Sequence, residues 1–138
     1  MKVKCVSNKG SDLSKENINA EAGYGVNTIF NITANEKYTV YGIAFVNNCM
    51  WYFIAEDIFG KGRNFPMWYP AELFVITSNE LSKTWVINKV DIDGKGDLIP
   101  FISFPEWAND DEYYGRLVDG DKEDYETFMK YKKIMDEE

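Results

Sequence analysis

The chain contains no histidine, and that single absence removes much of common enzyme chemistry. Without an imidazole there is no Ser-His or Cys-His nucleophile pair, no histidine general acid or base, and none of the zinc sites built on that ligand. Cysteine is scarce as well, with Cys5 and Cys49 the only two. Two thiols without a C-x-x-C spacing make neither a disulfide scaffold nor a four-thiolate site. A nucleophilic Cys49 needs a cation or a helix N-terminus beside it; its sequence neighbours supply neither, so a thiol packed in a strand or turn is expected. No apolar run approaches the roughly 20 residues of a membrane-spanning helix, and Met1 to Val6 reads as too short and too polar for a signal peptide. The resulting expectation is a reduced, cytoplasmic chain that uses no metal and no cofactor and contacts no membrane.

Two motif-like runs also lack what their chemistry needs. Asp91-Ile92-Asp93-Gly94-Lys95-Gly96-Asp97 starts like a calcium loop, with acids at the first and third positions and glycine at the sixth. Its fifth position is Lys95, and its twelfth is Ile102, where a bidentate Glu belongs. A glycine-rich hairpin turn is the expected structure. Gly60-Lys61-Gly62-Arg63 has glycines and cations but no Gly-Lys-Ser/Thr ending, so a phosphate cradle is unsupported.

What the chain has in quantity is aromatic residues: nine Phe, nine Tyr and four Trp among 138 residues. Tyr and Trp pair an apolar body with a polar tip, which suits both cores and binding surfaces. Charge is the second signal. Residues 1–100 hold 10 Lys and Arg against 11 Asp and Glu, whereas residues 101–138 hold 5 against 12. An acidic surface repels phosphate backbones and attracts basic partners, so a protein partner, basic in character, is expected and nucleic acid is not.

Local patterning gives an α+β chain in one domain. Lys2 to Val6 alternates as a short strand. Residues 7–36 form a long polar excursion, with a strand expected within it at Thr28 to Thr33. Lys37 to Val46 and Met50 to Ala55 are dense in β-branched and aromatic residues, and Asn47-Asn48 between them suits a tight hairpin turn. A two-residue loop predicts Val40, Ala44, Trp51 and Phe53 on one face, with Tyr41, Ile43, Tyr52 and Ile54 on the other; a three-residue loop exchanges the faces of the second strand. Both faces are apolar, so both are expected to be covered. Ile58 to Pro66 reads as a loop, Pro70 as the start of a turn before a strand ending at Thr77, and Trp85–Val90 with Leu98–Ser103 as a further hairpin. After Pro105 the period becomes helical. Asn109 with Glu112 and then Gly120 predict the caps of one helix, and Asp121 with Asp124 predict the start of another, reaching about Met135. In the second helix Tyr125, Phe128, Met129 and Ile134 or Met135 form an apolar stripe. The predicted organisation is a barrel-like body over residues 1–103, carrying the 7–36 loop, and an acidic two-helix tail over 104–138 packed on it.

Tyr38-x-Val40, Trp51-Tyr52-x-Ile54-x-Glu56-Asp57, a glycine loop, and Tyr69-Pro70-Ala71-Glu72-Leu73-Phe74-Val75-Ile76 together resemble the small SH3-like barrels of bacterial and phage proteins. The resemblance covers residues 36–77. It implies a small antiparallel SH3-like barrel, a hairpin ending in an acidic turn, a 3₁₀ turn opened by Pro70, and 7–36 as the extended loop between the first two strands. Peptide-binding members carry Asn and Tyr where this chain has Glu72 and Leu73. A similarity of character alone, small, acidic and aromatic-rich, links the chain to immunity proteins that neutralise bacterial toxins.

The reading that follows is a non-catalytic protein-binding module with Tyr24, Trp51, Glu56, Asp57, Trp68, Tyr69 and Pro70 as candidate binding residues, joined by Trp107 as a candidate groove aromatic. Two alternatives stand beside it. One is a carboxylate-only hydrolase using Glu56 or Asp57, which requires two carboxylates facing across a cleft about 5–10 Å wide. The other is a phage or accessory structural protein that self-associates through its strands.

Overall fold

The computed structural model describes residues 1–19, 23–57, 60, 62–92 and 94–138. It is mixed α+β. Among the described residues, eight strands, β1 (Lys2–Cys5), β2 (Lys37–Thr39), β3 (Gly42–Val46), β4 (Cys49–Glu56), β5 (Phe65–Pro70), β6 (Phe74–Ser78), β7 (Val86–Val90) and β8 (Ile99–Ser103), precede three helices, α1 (Pro105–Ala108), α2 (Tyr113–Asp119) and α3 (Lys122–Glu137). The strands form two antiparallel sheets, ordered β2-β1-β6 and β5-β4-β3-β8-β7. The two sheets do not close into one barrel, which corrects the expectation of a closed body. The chain nevertheless passes between them twice over short distances. Val40 and Tyr41 alone separate β2 from β3, and a 3₁₀ turn at Ala71–Leu73 joins β5 to β6.

The β3–β4 hairpin is closed by Asn47 and Asn48, both at positive φ (51° and 62°), with Val46 paired to Cys49. Two consecutive left-handed residues match the right-handed twist of the flanking strands, and Asn tolerates that conformation better than other side chains bearing a Cβ. Asn48→Ala is expected to lower stability by roughly 1–2 kcal/mol, measurable by chemical denaturation. The register sets the faces: Ala44, Trp51 and Phe53 on one, Ile43, Tyr52 and Ile54 on the other. Val40 and Tyr41 are reversed from expectation. Val40 N–H still bonds to the carbonyl of Met1, whereas Tyr41 N–H has crossed to that of Phe53, so the bend between sheets exchanges their sides.

Each face has its own core, as the two apolar faces required. The first contains Phe53, Phe101, Phe104, Trp107, Tyr113, Leu117, Phe128 and Met135, between the five-stranded sheet and the helices. The second contains Val3, Val40, Ile43, Tyr52, Ile54, Tyr69, Leu73 and Phe74, with Leu13, Phe30 and Ile32 of the excursion. In α3 it is Met135 that is buried, while Ile134 stays partly exposed.

Three local expectations fail for physical reasons. Residues 28–33 form no strand; the excursion carries two 3₁₀ turns, Gly10–Asp12 and Lys15–Asn17, and folds on itself through single bridges between Lys9 and Ile29 and between Asn19 and Tyr24. Gly10 makes the fold-back possible, because a Cβ there would lie 1.9 Å from the carbonyl oxygen of Gly25. β5 begins earlier than its prolines suggest, since at the edge of a sheet a missing N–H removes no ladder bond. Of the predicted loop from Ile58 to Pro66, Ile58, Phe59 and Lys61 lie outside the described residues. Asn109 ends α1 instead of starting a helix, and Asp110 Oδ1 accepts from Glu112 N–H at the entry to α2. Gly120 (φ 90°) ends α2 and Asp121 caps α3 as predicted. Arg116 clamps the two helices together through Asp124 (2.6 Å) and Asp110 (2.7 Å). No described helix is long and apolar enough to cross a membrane.

Candidate functional site

On the helix side of the five-stranded sheet, the helices leave the hairpin-turn end uncovered. The excursion from β1 lies over that end, and a cavity of about 530 Å³ opens between them. Three aromatic residues from three separate segments wall it. Trp51 comes from β4 and Trp68 from β5, side by side with ring centres 5.8 Å apart and planes 51° apart. Tyr24 comes from the excursion and meets Trp51 at 5.5 Å and 44°. The alternation of β4 and β5 fixes why the two tryptophans share this face: Trp51 and Phe53 project to the helix side, and Trp68 lies directly opposite Phe53, where the rings stack at 5.8 Å. Val46, Ile92 and Ile99 complete the apolar wall.

The polar lining comes from loops. The excursion brings Glu16, Asn17 and Asn19, the hairpin turn brings Asn47, and the β7–β8 connection brings Lys95 and Asp97. Glu16, Lys95 and Asp97 are exposed at the rim. The loop that carries the last two is organised by Asp91, whose carboxylate accepts from the N–H groups of Lys95 (3.1 Å) and Gly96 (2.8 Å). Asp91 therefore closes a turn, as the failed calcium spacing implied; Asp93 lies outside the described residues.

The excursion is held from the far side. Ser14 N–H donates to Glu72 Oε2 at 2.8 Å. Burial pushes the Glu72 carboxyl up, but the hydrogen bonding it receives, chiefly from Ser14, outweighs this and holds it below its ordinary value. Glu72, in the 3₁₀ turn after Pro70, thus ties the excursion to the strands and places one wall of the cavity.

Of the residues the sequence singled out, Tyr24, Trp51 and Trp68 meet at this cavity. Tyr69 and Pro70 are buried, and Tyr69 belongs to the opposite core. Trp107 is 1% exposed at the centre of the helix-side core and cannot line a surface groove. Asp57 does not face the cavity: its Oδ2 accepts from Gly62 N–H at 2.7 Å, closing its own loop. Glu56 continues the Tyr52–Ile54 face of β4, away from the cavity. Burial raises its carboxyl above the ordinary value, against a lowering by Tyr38. For an acid with a raised folded-state pKa, the folded state holds its proton more tightly than the unfolded state, so stability falls as pH rises through that interval. Glu56→Gln is expected to raise the melting temperature by about 2–4 °C at pH 7, with the gain vanishing near pH 4 in a calorimetric series. Both thiols are free, Cys5 buried and Cys49 half-buried at the start of β4; burial raises both above the ordinary thiol value.

Asn17, Glu16, Asn19, Lys95 and Asp97 were not singled out as binding residues. Their relation to Trp51 and Trp68 is created by the folded path of residues 7–36 and by the β7–β8 turn, neither of which has a local spacing that announces it. Compared with protein families, curated proteins and solved structures, the chain matches none of them.

Proposed function

We propose that this chain is a non-catalytic binding protein that seats a protruding group of a protein partner in the Tyr24–Trp51–Trp68 cavity. The observation that carries the reading is the convergence of three rings from distant segments on a cavity whose rim is polar. Cavities of about 300–1,000 Å³ with aromatic walls and a few fixed polar groups are the usual form of binding pockets, and Trp and Tyr are the residues that most often dominate interface energies. No Ser, Thr or Cys is among the described residues lining it. The acidic helices on the same side of the sheet favour a partner with a basic surface, with a toxin neutralised by an immunity-type protein as the sharpest case.

The SH3-like resemblance belongs to the same proposal. The path β6-β1-β2/β3-β4-β5, with its bend at Val40–Tyr41 and its 3₁₀ turn after Pro70, supports a partly opened barrel of that kind. In such a barrel the 7–36 excursion is the extended first loop, and the cavity lies between it and the β3–β4 turn.

The test is affinity capture from a lysate of the source organism at low and high salt, run in parallel with the wild-type chain and Trp68→Ala. One basic protein held stoichiometrically by the wild type, released by salt and lost from the variant, is the expected result. Equal retention by both chains overturns the cavity as the docking point. A blank at low salt removes the protein partner and moves the weight to self-association through the exposed β7 edge, where Ile87 is 70% exposed.

A further inference from the structure

Trp68 turns a ring face, and not only an edge, toward the cavity. It stacks on Phe53 with planes 19° apart, so one face of its indole is covered from inside the protein. The ring is nevertheless half-exposed and lines the cavity, which leaves the opposite face as the one presented. Trp51 and Tyr24 continue the wall, inclined by 51° and then 44°. Aromatic faces carry the negative side of the ring quadrupole, and several inclined rings around one space are the arrangement that takes up organic cations.

The charges around the cavity have the same preference. Glu16 of the excursion and Asp97 of the β7–β8 connection bring two exposed carboxylates to the rim from separate loops. Among the described lining residues they face one ammonium, that of Lys95. Glu72 adds a third carboxylate behind the excursion, where it accepts from Ser14 N–H. The Cys49 thiol at the start of β4 feels this field: burial raises its pKa first, and Glu72 and Glu16 raise it further.

We propose that the protruding group seated in the cavity is an arginine side chain of the protein partner, its guanidinium stacked on the Trp68 face and its N–H groups directed to Glu16 and Asp97 at the rim. A guanidinium is flat, weakly hydrated and rich in donors, so it stacks on an indole and reaches carboxylates with the same group. A lysine ammonium is a compact, strongly hydrated point charge that gives up more water to enter. A quaternary ammonium suits the rings but has no N–H for the carboxylates. A carboxylate or phosphate meets ring faces and rim charges of its own sign, with Lys95 alone in its favour. A neutral or apolar group makes no use of the rim at all. A basic partner surface thus does two things: it approaches the acidic helices over a distance, and one of its arginines enters the cavity.

This inference rests on the binding reading of the cavity, and its first test needs no partner. The tryptophan indole N–H signals are followed by nuclear magnetic resonance while the chain is titrated with the N-acetyl methylamides of arginine, citrulline, lysine and trimethyllysine. Citrulline keeps the shape of arginine without its charge. The arginine derivative is expected to move the Trp68 signal in a saturable way and to bind about 5-fold or more tightly than each of the other three. Glu16→Gln and Asp97→Asn, both at exposed loop positions, are each expected to weaken it by about 3- to 10-fold and to leave the citrulline derivative unchanged. Equal binding of arginine and citrulline derivatives overturns the proposal, as does tighter binding of either lysine derivative. So does an arginine affinity that survives both substitutions together, or no saturable shift with any of the four. A captured partner that depends on Trp68 while the arginine preference is missing refutes the guanidinium and leaves the cavity as the docking point. A selective arginine shift with no protein captured refutes the protein partner and leaves the choice of cation standing.

Discussion

Trp107→Ala destabilises the protein by about 3–5 kcal/mol, the cost of truncating a fully buried tryptophan. Trp107 is the hub of the helix-side core. Its ring meets Phe53 of β4 at 4.8 Å, Phe101 of β8 at 5.1 Å, Phe104 at 5.7 Å, and Tyr113 and Tyr114 of α2 at 5.8 and 5.6 Å. It also reaches Phe128 of α3 at 6.5 Å. Removing the ring takes away the contact common to sheet and helices, and the surrounding rings are too large to collapse fully into the space. In a chain of this length the melting temperature is expected to fall by roughly 10–20 °C. A small drop, below about 1 kcal/mol, would mean that the helices do not depend on Trp107 for their seat.

Trp68→Ala has the opposite profile: partner affinity falls by about 30-fold or more, the effect of losing an interface hot spot, while stability falls by only about 1–2 kcal/mol. Trp68 lies on β5, an edge strand, and is half-exposed at the cavity. Its stacking partner Phe53 remains packed on Phe101, Trp107 and Tyr114. The split between the two measurements distinguishes a binding residue from a structural one. Trp51→Ala is a poorer probe, since its ring is buried and its loss moves both quantities.

The parts of the fold that were legible in the sequence are those whose cause is local. Asn47-Asn48 announces its hairpin because both residues must tolerate positive φ. Gly120 and Asp121 mark a helix end and a helix start because unpaired backbone groups need those residue types nearby. β5 was hidden because its prolines read as a turn until the strand is known to be an edge. Asn109 misled because the same residue serves at a helix start or after a helix end, and only the short α1 before it decides which. The reversal of Val40 and Tyr41 follows from two sheets meeting, and a strand read as one continuous unit has no means to show it.

The candidate site divides in the same way. Tyr24, Trp51 and Trp68 stood out by residue type, as large amphipathic rings with a place in either a core or a groove. Nothing local separated them from Tyr69 and Trp107, which the structure buries; the side of the sheet and the helix cover make that difference. Ser14 and Glu72 are linked by a hydrogen bond across a long stretch of sequence, and no spacing rule reaches that far.

The most direct test of the cavity as a binding site is the set of indole N–H resonances recorded as the captured partner is added. Shifts at Trp51 and Trp68, with Trp107 unmoved, are expected. A partner that binds tightly while both cavity signals stay in place would contradict the account and move the interface elsewhere on the molecule.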